Sequence, residues 1–345
     1  MVAVIGAGSW GTALAISLAA AGHAVRIWAR RPELAEEMTD TRRNRFYLRD
    51  ARLPDSIVVS ADAERVVAGA DVWVFAVPSQ SQRSVAARFA PWAGDVREVV
   101  SVAKGIENDT LLLSTQVLEQ ALPDVPPDRI GVLYGPSHAE EVAQGLPAAV
   151  VASAASLETA RAIQRLFMTR SLRVYVNTDV IGVQIAGSAK NVMAIAAGIS
   201  DGVGYGDNAK AALVTRGIAE MRRLGQAMGA AMSTFSGLAG IGDLVVTCMS
   251  GLSRNRYVGE QIGEGRGLKD IEADMQMVAE GVRTTESVVA LARRHGIEMP
   301  ICESVHAILF EGKKPQEAVN ALMTRSAKHE EWLGLDDESA MEPDA

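Results

Sequence analysis

The feature that most constrains the fold is a short apolar segment followed by a glycine-rich turn. Val2–Ile5 has the length and composition of a buried parallel strand, and glycines follow at positions 6, 8 and 11. Gly6 would permit a tight turn, Gly8 would let a pyrophosphate approach the backbone, and Gly11 would let the next helix pack closely on the sheet. That helix would also present free N–H groups at its start. The spacing predicts a dinucleotide-binding turn; the alternative is a purely structural glycine turn.

The second predicted strand, Ala24–Trp28, is followed by two arginines. In NAD-binding versions of this fold, an acidic residue about 20 residues beyond the glycines bonds the ribose 2′-hydroxyl. Arg30 and Arg31 occupy that place here, with no acid before Glu33. Guanidinium groups match a 2′-phosphate, which a carboxylate would repel. We therefore predict that NADP(H) is preferred, with NAD(H) as the second choice; the alternative is a solvated surface pair.

Strand and helix patterns alternate as far as Thr178, which predicts a mostly parallel, doubly wound α/β domain over residues 1–178. Within it, the charged stretch Arg42–Pro54 is interpreted as a loop or small insertion. Residues 179–335 are predicted to form an all-α domain that closes over the cofactor, and 336–345 an acidic, disordered tail. The predicted helices of the second domain are about 179–199, 207–228, 243–250, 253–263, 268–275, 284–295, 301–311 and 315–324.

Composition limits the classes of function. The chain has 345 residues and a net charge of −8, which argues for two domains and against nucleic-acid or anionic-membrane partners. The chain has two cysteines, which fit a reducing cytosol, so we predict a cytoplasmic protein. The cysteines lack metal-ligand spacing, so we predict no metal. Because the first predicted strand begins at Val2, we also predict no signal peptide. The stretches 180–199 and 224–242 are not predicted to insert into a membrane, since the first carries Lys190 at its middle and the second is rich in small polar residues.

Ligands of doubly wound sheets lie beyond the carboxyl ends of the strands. Lys104 follows one predicted strand and Gly135 follows the next. We predict a site role for Lys104; the alternative is an ordinary solvated lysine. Ser137 and Glu140 have the spacing of a capping box, which predicts a helix N-terminus opening into the same crevice. His138 is interpreted as a packed neighbour rather than a catalyst.

A lysine interrupts the apolar helix at the start of the second domain. Burying the ammonium of Lys190 costs several kcal/mol unless the group is paired or loses its proton. Lys190 is therefore a candidate general base. Gly187 and Ala194, a turn away on the same face, are expected to leave room for a ligand. The alternative is a lysine paired with a buried carboxylate.

Two further helix starts add polar groups. Asp243 follows a glycine-rich loop, and Ser253, Arg254 and Asn255 begin another helix with Ser253 as the predicted N-cap. A hydroxyl, a guanidinium and an amide at the positive end of a helix dipole suit a phosphate. Each start alone would be only a capped helix. Together they predict a small phosphorylated substrate.

In this order the motifs resemble the bacterial NAD(P)-dependent sn-glycerol-3-phosphate dehydrogenases. The resemblance extends from Val2 to Leu335 and rests on Gly6–Gly11, Ala76–Gln80, Lys104-Gly105, Gly135–Ser137, Lys190-Asn191, Gly240–Asp243, Ser253–Asn255 and Val278–Gly281. It implies a Rossmann-type first domain and a second domain of the 6-phosphogluconate-dehydrogenase C-terminal kind. It also implies a homodimer that interconverts dihydroxyacetone phosphate and sn-glycerol 3-phosphate, supplying the latter for phospholipid synthesis.

The resemblance implies roles for individual residues. Lys190 would be the proton acceptor, with Lys104 lowering its pKa and Asp243 holding it in position. The residues implied to bind the cofactor are Gly6, Gly8, Ser9, Trp10, Gly11, Arg30, Arg31, Lys104, Ala139, Arg254, Val278 and Glu280. Those implied to surround the substrate are Lys104, Gly135, Ser137, Lys190, Asp243, Ser253, Arg254 and Asn255.

The chain departs from the family pattern at four positions. His138 stands where an aromatic residue is common, and Gln184, Ala186 and Ser188 replace the usual Glu, Gly and Ala. These changes leave the chemical groups of the predicted site in place. Two other functions remain open at this point: a sister dehydrogenase acting on another hydroxy acid, and a non-catalytic NADP(H)-sensing protein.

Overall fold

The computed structural model describes residues 1–275 and 277–325. The strands of the first domain are β1 Val2–Ile5, β2 Val25–Trp28, β3 Arg43–Asn44, β4 Leu48–Arg52, β5 Val58–Ser60, β6 Val72–Phe75, β7 Glu98–Ser101, β8 Ile130–Tyr134, β9 Ala148–Ala154 and β10 Leu172–Asn177. Its helices are α1 Ser9–Ala20, α2 Pro32–Thr41, α3 Ala63–Val67, α4 Gln82–Phe89, α5 Ser114–Ala121, α6 Ala139–Ala143 and α7 Leu157–Phe167. The sequence patterns did not predict α5.

Eight strands form one sheet in the order β10-β9-β8-β7-β6-β1-β2-β5. All neighbours are parallel except β8 and β9, so the predicted mostly parallel, doubly wound sheet is confirmed. β1 lies between β2 and β6, with Ile5 in register with Trp28 and Phe75. The carboxyl ends of β1, β6 and β7 therefore lie side by side at one edge, where ligands of such sheets bind.

The sheet is covered by apolar side chains on both faces. On one face Leu14 and Leu18 of α1 pack with the sheet residue Val74. On the other, Trp28 meets Phe89 edge to face, with ring centroids 5.2 Å apart. These fully buried contacts fix the positions of the strand ends that carry the polar residues.

The stretch Arg42–Pro54, interpreted as a loop or small insertion, is not a loop: β3 and β4 form a small antiparallel ribbon there, outside the main sheet. The ribbon was missed because its residues are mostly charged and several are exposed, so they show no apolar alternation. Asn44 anchors it by donating to Ala7 O at 2.8 Å and to Thr12 Oγ1 at 2.9 Å. The ribbon therefore lies against the glycine turn.

The described part of the second domain is helical, as predicted. Its helices are α8 Val180–Val203, α9 Asp207–Ala227, α10 Asp243–Met249, α11 Arg254–Gly263, α12 Leu268–Asp274, α13 Glu280–Arg294, α14 Pro300–Phe310 and α15 Pro315–Met323, and Leu238–Gly242 forms a π-turn before α10. α13 begins four residues before its predicted start at 284. The predicted domain boundary after Thr178 lies in the turn between β10 and α8. The predicted acidic tail 336–345 lies outside the described residues.

Helix α8 is the centre of the second domain. It is apolar and long enough to cross a membrane, with a mean hydropathy of 1.4, but 89% of that apolar window is buried inside the protein. Its backbone packs directly on α11, since a Cβ at Gly198 would overlap Arg256 O and a Cβ at Gly259 would overlap Ile195 O. This close approach brings the middle of α8 beside the start of α11.

Candidate active site

The glycine turn has the geometry that its spacing predicts. Gly6 has φ +122°, and a Cβ there would lie 2.5 Å from Ala76 O. A Cβ at Gly11 would overlap Gly6 O, whereas a Cβ at Gly8 would meet nothing within 4 Å. Helix α1 begins immediately afterwards, and its N-cap residue, Gly8, has no side chain that could cap the first N–H groups. The turn thus offers open space and free donors, which fit a pyrophosphate.

Residues from the second domain reach this turn. Ser9 Oγ donates to Tyr47 O at 2.8 Å and lies 3.1 Å from Met277 Sδ. Glu280 accepts the N–H of Ser79 at 3.1 Å, and Arg254 donates to Val278 O at 2.8 Å. The segment that leads into α13 therefore contacts both the glycine turn and the loop after β6.

The two arginines that are predicted to select the cofactor follow β2 directly. Arg30 is exposed at the end of β2. Arg31 is half-buried, and its guanidinium stacks over Phe46 at 4.5 Å and over Tyr47 at 5.7 Å from the ring centroids. These aromatic residues belong to the turn of the unpredicted ribbon, so no sequence pattern pointed to them. They hold Arg31 in one place at the edge of the crevice.

A buried carboxylate joins the two predicted catalytic lysines. Lys190 Nζ donates to Asp243 Oδ1 and to Thr247 Oγ1, both at 2.6 Å. Lys104 Nζ donates to Asp243 Oδ2 at 2.7 Å and to Gly135 O at 2.9 Å. Asp243 is 1% exposed and Lys190 5%. Lys190 is therefore paired with a buried carboxylate, and that carboxylate belongs to Asp243, which is itself one of the predicted catalytic residues.

The charges of this cluster shift its pKa values. Burial lowers the pKa of Lys190 to about 8; the negative charge of Asp243 opposes this shift and the positive charge of Lys104 adds to it. Burial alone would raise the pKa of Asp243, but the two ammonium groups hold it below its ordinary value. A lysine with a pKa near 8 exchanges protons readily at neutral pH.

A chain of amides links the cluster to the start of α11. Asn191 donates to Lys104 O at 3.0 Å, and Asn255 donates to Asn191 Oδ1 at 3.0 Å. Asn255 also accepts the N–H of Gly281 at 2.9 Å. Ser253 accepts the N–H of Arg256 at 3.2 Å, which confirms it as the N-cap of α11. The predicted phosphate-binding residues thus lie next to the lysine cluster.

The predicted capping box is wrong. Ser137 donates to Gly135 O at 2.8 Å and lies 3.4 Å from Lys104 Nζ, so its hydroxyl is held inside the crevice. Helix α6 begins at Ala139, with His138 at the N-cap position and no side-chain cap. Ser137 lies one residue too early to cap it.

The expectation that Gly187 and Ala194 leave room for a ligand is also wrong. A Cβ at Gly187 would lie 2.5 Å from the ring of Tyr134, and Ala194 is fully buried in the core around α8. Gly187 therefore makes room for Tyr134, whose hydroxyl donates to Ala103 O. This contact supports the end of the segment that carries Lys104.

One departure from the family pattern has a clear structural place. Gln184 accepts the N–H of Thr115 at 3.0 Å and donates to Thr115 Oγ1 at 3.1 Å and to Val180 O at 3.0 Å.

Across the described ranges 1–275 and 277–325, no group of three His, Cys, Asp or Glu side chains could hold a metal ion.

A glycine-turn domain joined to a helical domain, with buried lysines at their junction, defines the class of dinucleotide-dependent dehydrogenases. The chain belongs to the NAD-dependent glycerol-3-phosphate dehydrogenase family: the family's N-terminal part matches residues 1–160 and its C-terminal part matches residues 179–320.

Individual relatives agree with the family. The chain is 60% identical over 332 residues to glycerol-3-phosphate dehydrogenase (NAD(P)+) 1 of Salinibacter ruber, covering 96% of this chain and 97% of the relative. It is 55% identical over 329 residues to the glycerol-3-phosphate dehydrogenase (NAD(P)+) of Chlorobium limicola, covering 95% and 99%. The crystal structure of glycerol-3-phosphate dehydrogenase from Coxiella burnetii superposes with a TM-score of 0.88 at 39% identity, covering 94% of this chain and 98% of that one. These matches support neither the sister dehydrogenase nor the sensor.

Proposed function

We propose that this protein is an NAD(P)-dependent oxidoreductase that interconverts dihydroxyacetone phosphate and sn-glycerol 3-phosphate. The observation that carries the proposal is the buried cluster of Lys190, Asp243 and Lys104 beside an open glycine turn. In the cell the reaction runs toward glycerol 3-phosphate and supplies phospholipid synthesis, as in the family that the chain belongs to.

The cofactor lies along the glycine turn in this proposal. Gly8, Ser9 and Trp10 would hold its pyrophosphate. Ala139, Val278 and Glu280 would enclose the rest of the cofactor. When bound, the nicotinamide accepts or supplies a hydride at C2 of the substrate. Everything else in the reaction is done by side chains of this chain.

Lys190 exchanges the proton of the C2 oxygen. Its ammonium uses two of its three N–H donors on Asp243 and Thr247, which leaves one for the substrate. In oxidation the neutral amine takes the proton of the C2 hydroxyl, and in reduction the ammonium returns it. Lys104 stabilises the negative charge that develops on that oxygen. Asp243 holds both lysines in position.

The phosphate of the substrate binds at the start of α11. Ser253, Arg254 and Asn255 contribute the donors there, together with the positive end of the helix dipole. Asn255 is tied to the lysine cluster through Asn191, so the distance between phosphate and reacting carbon is fixed by the packing of α8 on α11. Gly135 and Ser137 form the opposite wall.

We further propose that NADPH is preferred over NADH because Arg30 and Arg31 bind the 2′-phosphate. Dihydroxyacetone-phosphate-dependent oxidation of each nucleotide, followed by absorbance, tests both the reaction and this preference. In the double variant Arg30→Ala, Arg31→Ala, kcat/KM with NADPH should fall roughly 10- to 100-fold, the worth of a charge-assisted hydrogen bond, while the value with NADH stays unchanged. The control is Arg52→Ala, an exposed arginine of β4. Equal losses with both nucleotides would contradict the assignment.

The assembly and location are proposals of the same kind. The family resemblance supports a homodimer in the cytoplasm. Light scattering on the purified protein should give twice the mass of one chain, 36.6 kDa. A mass equal to a single chain at micromolar concentration would refute the dimer.

A further inference from the structure

His138 lies in the crevice without a role in the reaction described above. It occupies the N-cap position of α6, directly after Ser137. Its ring is half-buried, and its Nε2 atom is buried with no hydrogen-bond partner within residues 1–275 and 277–325. Buried polar atoms in folded proteins are nearly always paired, so an unpaired one in a binding crevice points to a partner supplied from outside the chain.

The surroundings of the imidazole are those of the reaction centre. The neighbouring Ser137 hydroxyl lies 3.4 Å from Lys104 Nζ. Burial and then the positive charge of Lys190 lower the pKa of His138, so the ring is neutral at pH 7. The charged groups that act on it, from its own helix and from the elements packed against it, are Glu140, Glu141, Lys104 and Lys190. A neutral ring among charged groups suits a neutral hydroxyl better than a phosphate dianion.

The substrate has three polar ends that the crevice must match. With the phosphate at the start of α11 and the C2 oxygen at Lys190, the remaining group is the C1 hydroxyl. In that binding mode it would point away from α11, toward the residues of the first domain that follow β8. That wall carries Ser137 and His138.

We propose that His138 Nε2 forms a hydrogen bond with the C1 hydroxyl of the substrate and so selects three-carbon phosphates that carry this hydroxyl. The contact presupposes the proposed reaction and adds a specificity-determining residue to it. It also accounts for the unpaired nitrogen at a position where the family commonly has an aromatic hydrocarbon ring.

The test compares two substrates in two proteins. Hydroxyacetone phosphate carries a methyl group where dihydroxyacetone phosphate carries the C1 hydroxymethyl group, so it lacks only the C1 hydroxyl. In His138→Phe, kcat/KM for dihydroxyacetone phosphate should fall roughly three- to tenfold, the worth of one neutral hydrogen bond, while the value for hydroxyacetone phosphate stays unchanged. His138→Gln, whose amide can donate from a similar place, should recover part of the preference. The control is His295→Phe, an exposed residue after α13 that should leave the ratio unchanged.

Each outcome has a distinct meaning. An equal loss of kcat/KM for both substrates would overturn the proposal and leave His138 as a packing residue. A rise in the inhibition constant of inorganic phosphate, with no change in the ratio of kcat/KM for the two substrates, would also overturn it. If His138→Phe fails to fold, the ratio of kcat/KM for the two substrates is measured in His138→Gln and His138→Asn, and that ratio decides. A wild-type protein that reduces dihydroxyacetone phosphate with neither nucleotide would refute the proposed function itself, whereas normal turnover with an unaltered ratio would refute only the role of His138.

Discussion

Replacing Asp243 by asparagine removes the negative charge between the buried ammonium of Lys190 and the partly exposed ammonium of Lys104. The Oδ1 and Oδ2 atoms of Asp243 lie 2.6 Å from Lys190 Nζ and 2.7 Å from Lys104 Nζ. Removing one partner of a buried ion pair costs about 3–5 kcal/mol, because the other charge stays buried without compensation. We therefore expect the free energy of unfolding of Asp243→Asn to fall by about that amount at pH 7.

The same substitution should change the pH dependence of the reaction. The negative charge of Asp243 favours the protonated form of Lys190, so its loss lowers the pKa of Lys190 below about 8. The pH at which glycerol 3-phosphate oxidation reaches half its maximal rate should then move to lower pH, on top of a lower maximal rate. Denaturant titration measures the first effect and initial rates across pH 6–10 measure the second.

Asp201 provides the matched control. It lies near the end of α8 and also bridges two cations, with Lys210 Nζ at 2.5 Å and Arg256 Nε at 2.8 Å, but its side chain is 13% exposed, whereas that of Asp243 is 2% exposed. Asp201→Asn should lose about 1 kcal/mol or less and keep the pH profile of the wild type. If Asp243→Asn were as stable as Asp201→Asn and had an unshifted profile, Asp243 would not be the shared counter-ion of the two lysines.

Two further predictions concern pH. In the wild type, oxidation needs neutral Lys190, so kcat for glycerol 3-phosphate oxidation should rise with pH through an apparent pKa near 8. Reduction needs the protonated form, so kcat for dihydroxyacetone phosphate should fall above that pKa. Flat profiles in both directions would argue against Lys190 as the proton-transfer group. Burial raises the pKa of Glu220 to about 7, so the folded state binds more protons than the unfolded state between about pH 4.5 and 7, and the free energy of unfolding should fall as pH rises through that range. Glu220→Gln should remove this part of the pH dependence in denaturant titrations, and an unchanged dependence would contradict the assignment.

The sequence predicted the parts of the site that depend on local pattern. The glycine spacing predicted the turn, since each glycine answers a local steric need. The apolar helix interrupted by Lys190 predicted a buried amine, and Lys190 is 5% exposed. The helix starts at Asp243 and Ser253 were placed within a residue. At Ser253 the reason is local, because its side chain caps the first turn of α11.

The pairings between distant residues could not be predicted from local pattern. Asp243 is 53 residues from Lys190 and 139 residues from Lys104, so only the packing of the two domains determines that one carboxylate serves both. Helical spacing showed that Gly187 lies on the same face of α8 as Lys190. It could not show that the space beside Gly187 is occupied by the ring of Tyr134, which belongs to β8. The ribbon that holds Arg31 has charged, exposed strands, which carry no apolar signal.

The rate of dihydroxyacetone-phosphate-dependent NADPH oxidation in Lys190→Met tests the central claim most directly. Methionine keeps an unbranched apolar side chain, one atom shorter than that of lysine, but can neither hold nor move a proton. The account predicts that kcat falls by roughly 10²- to 10⁴-fold, the usual contribution of a general acid or base, while NADPH still binds with wild-type affinity in a fluorescence titration. A kcat within a few-fold of the wild type would contradict the claim that Lys190 transfers the proton.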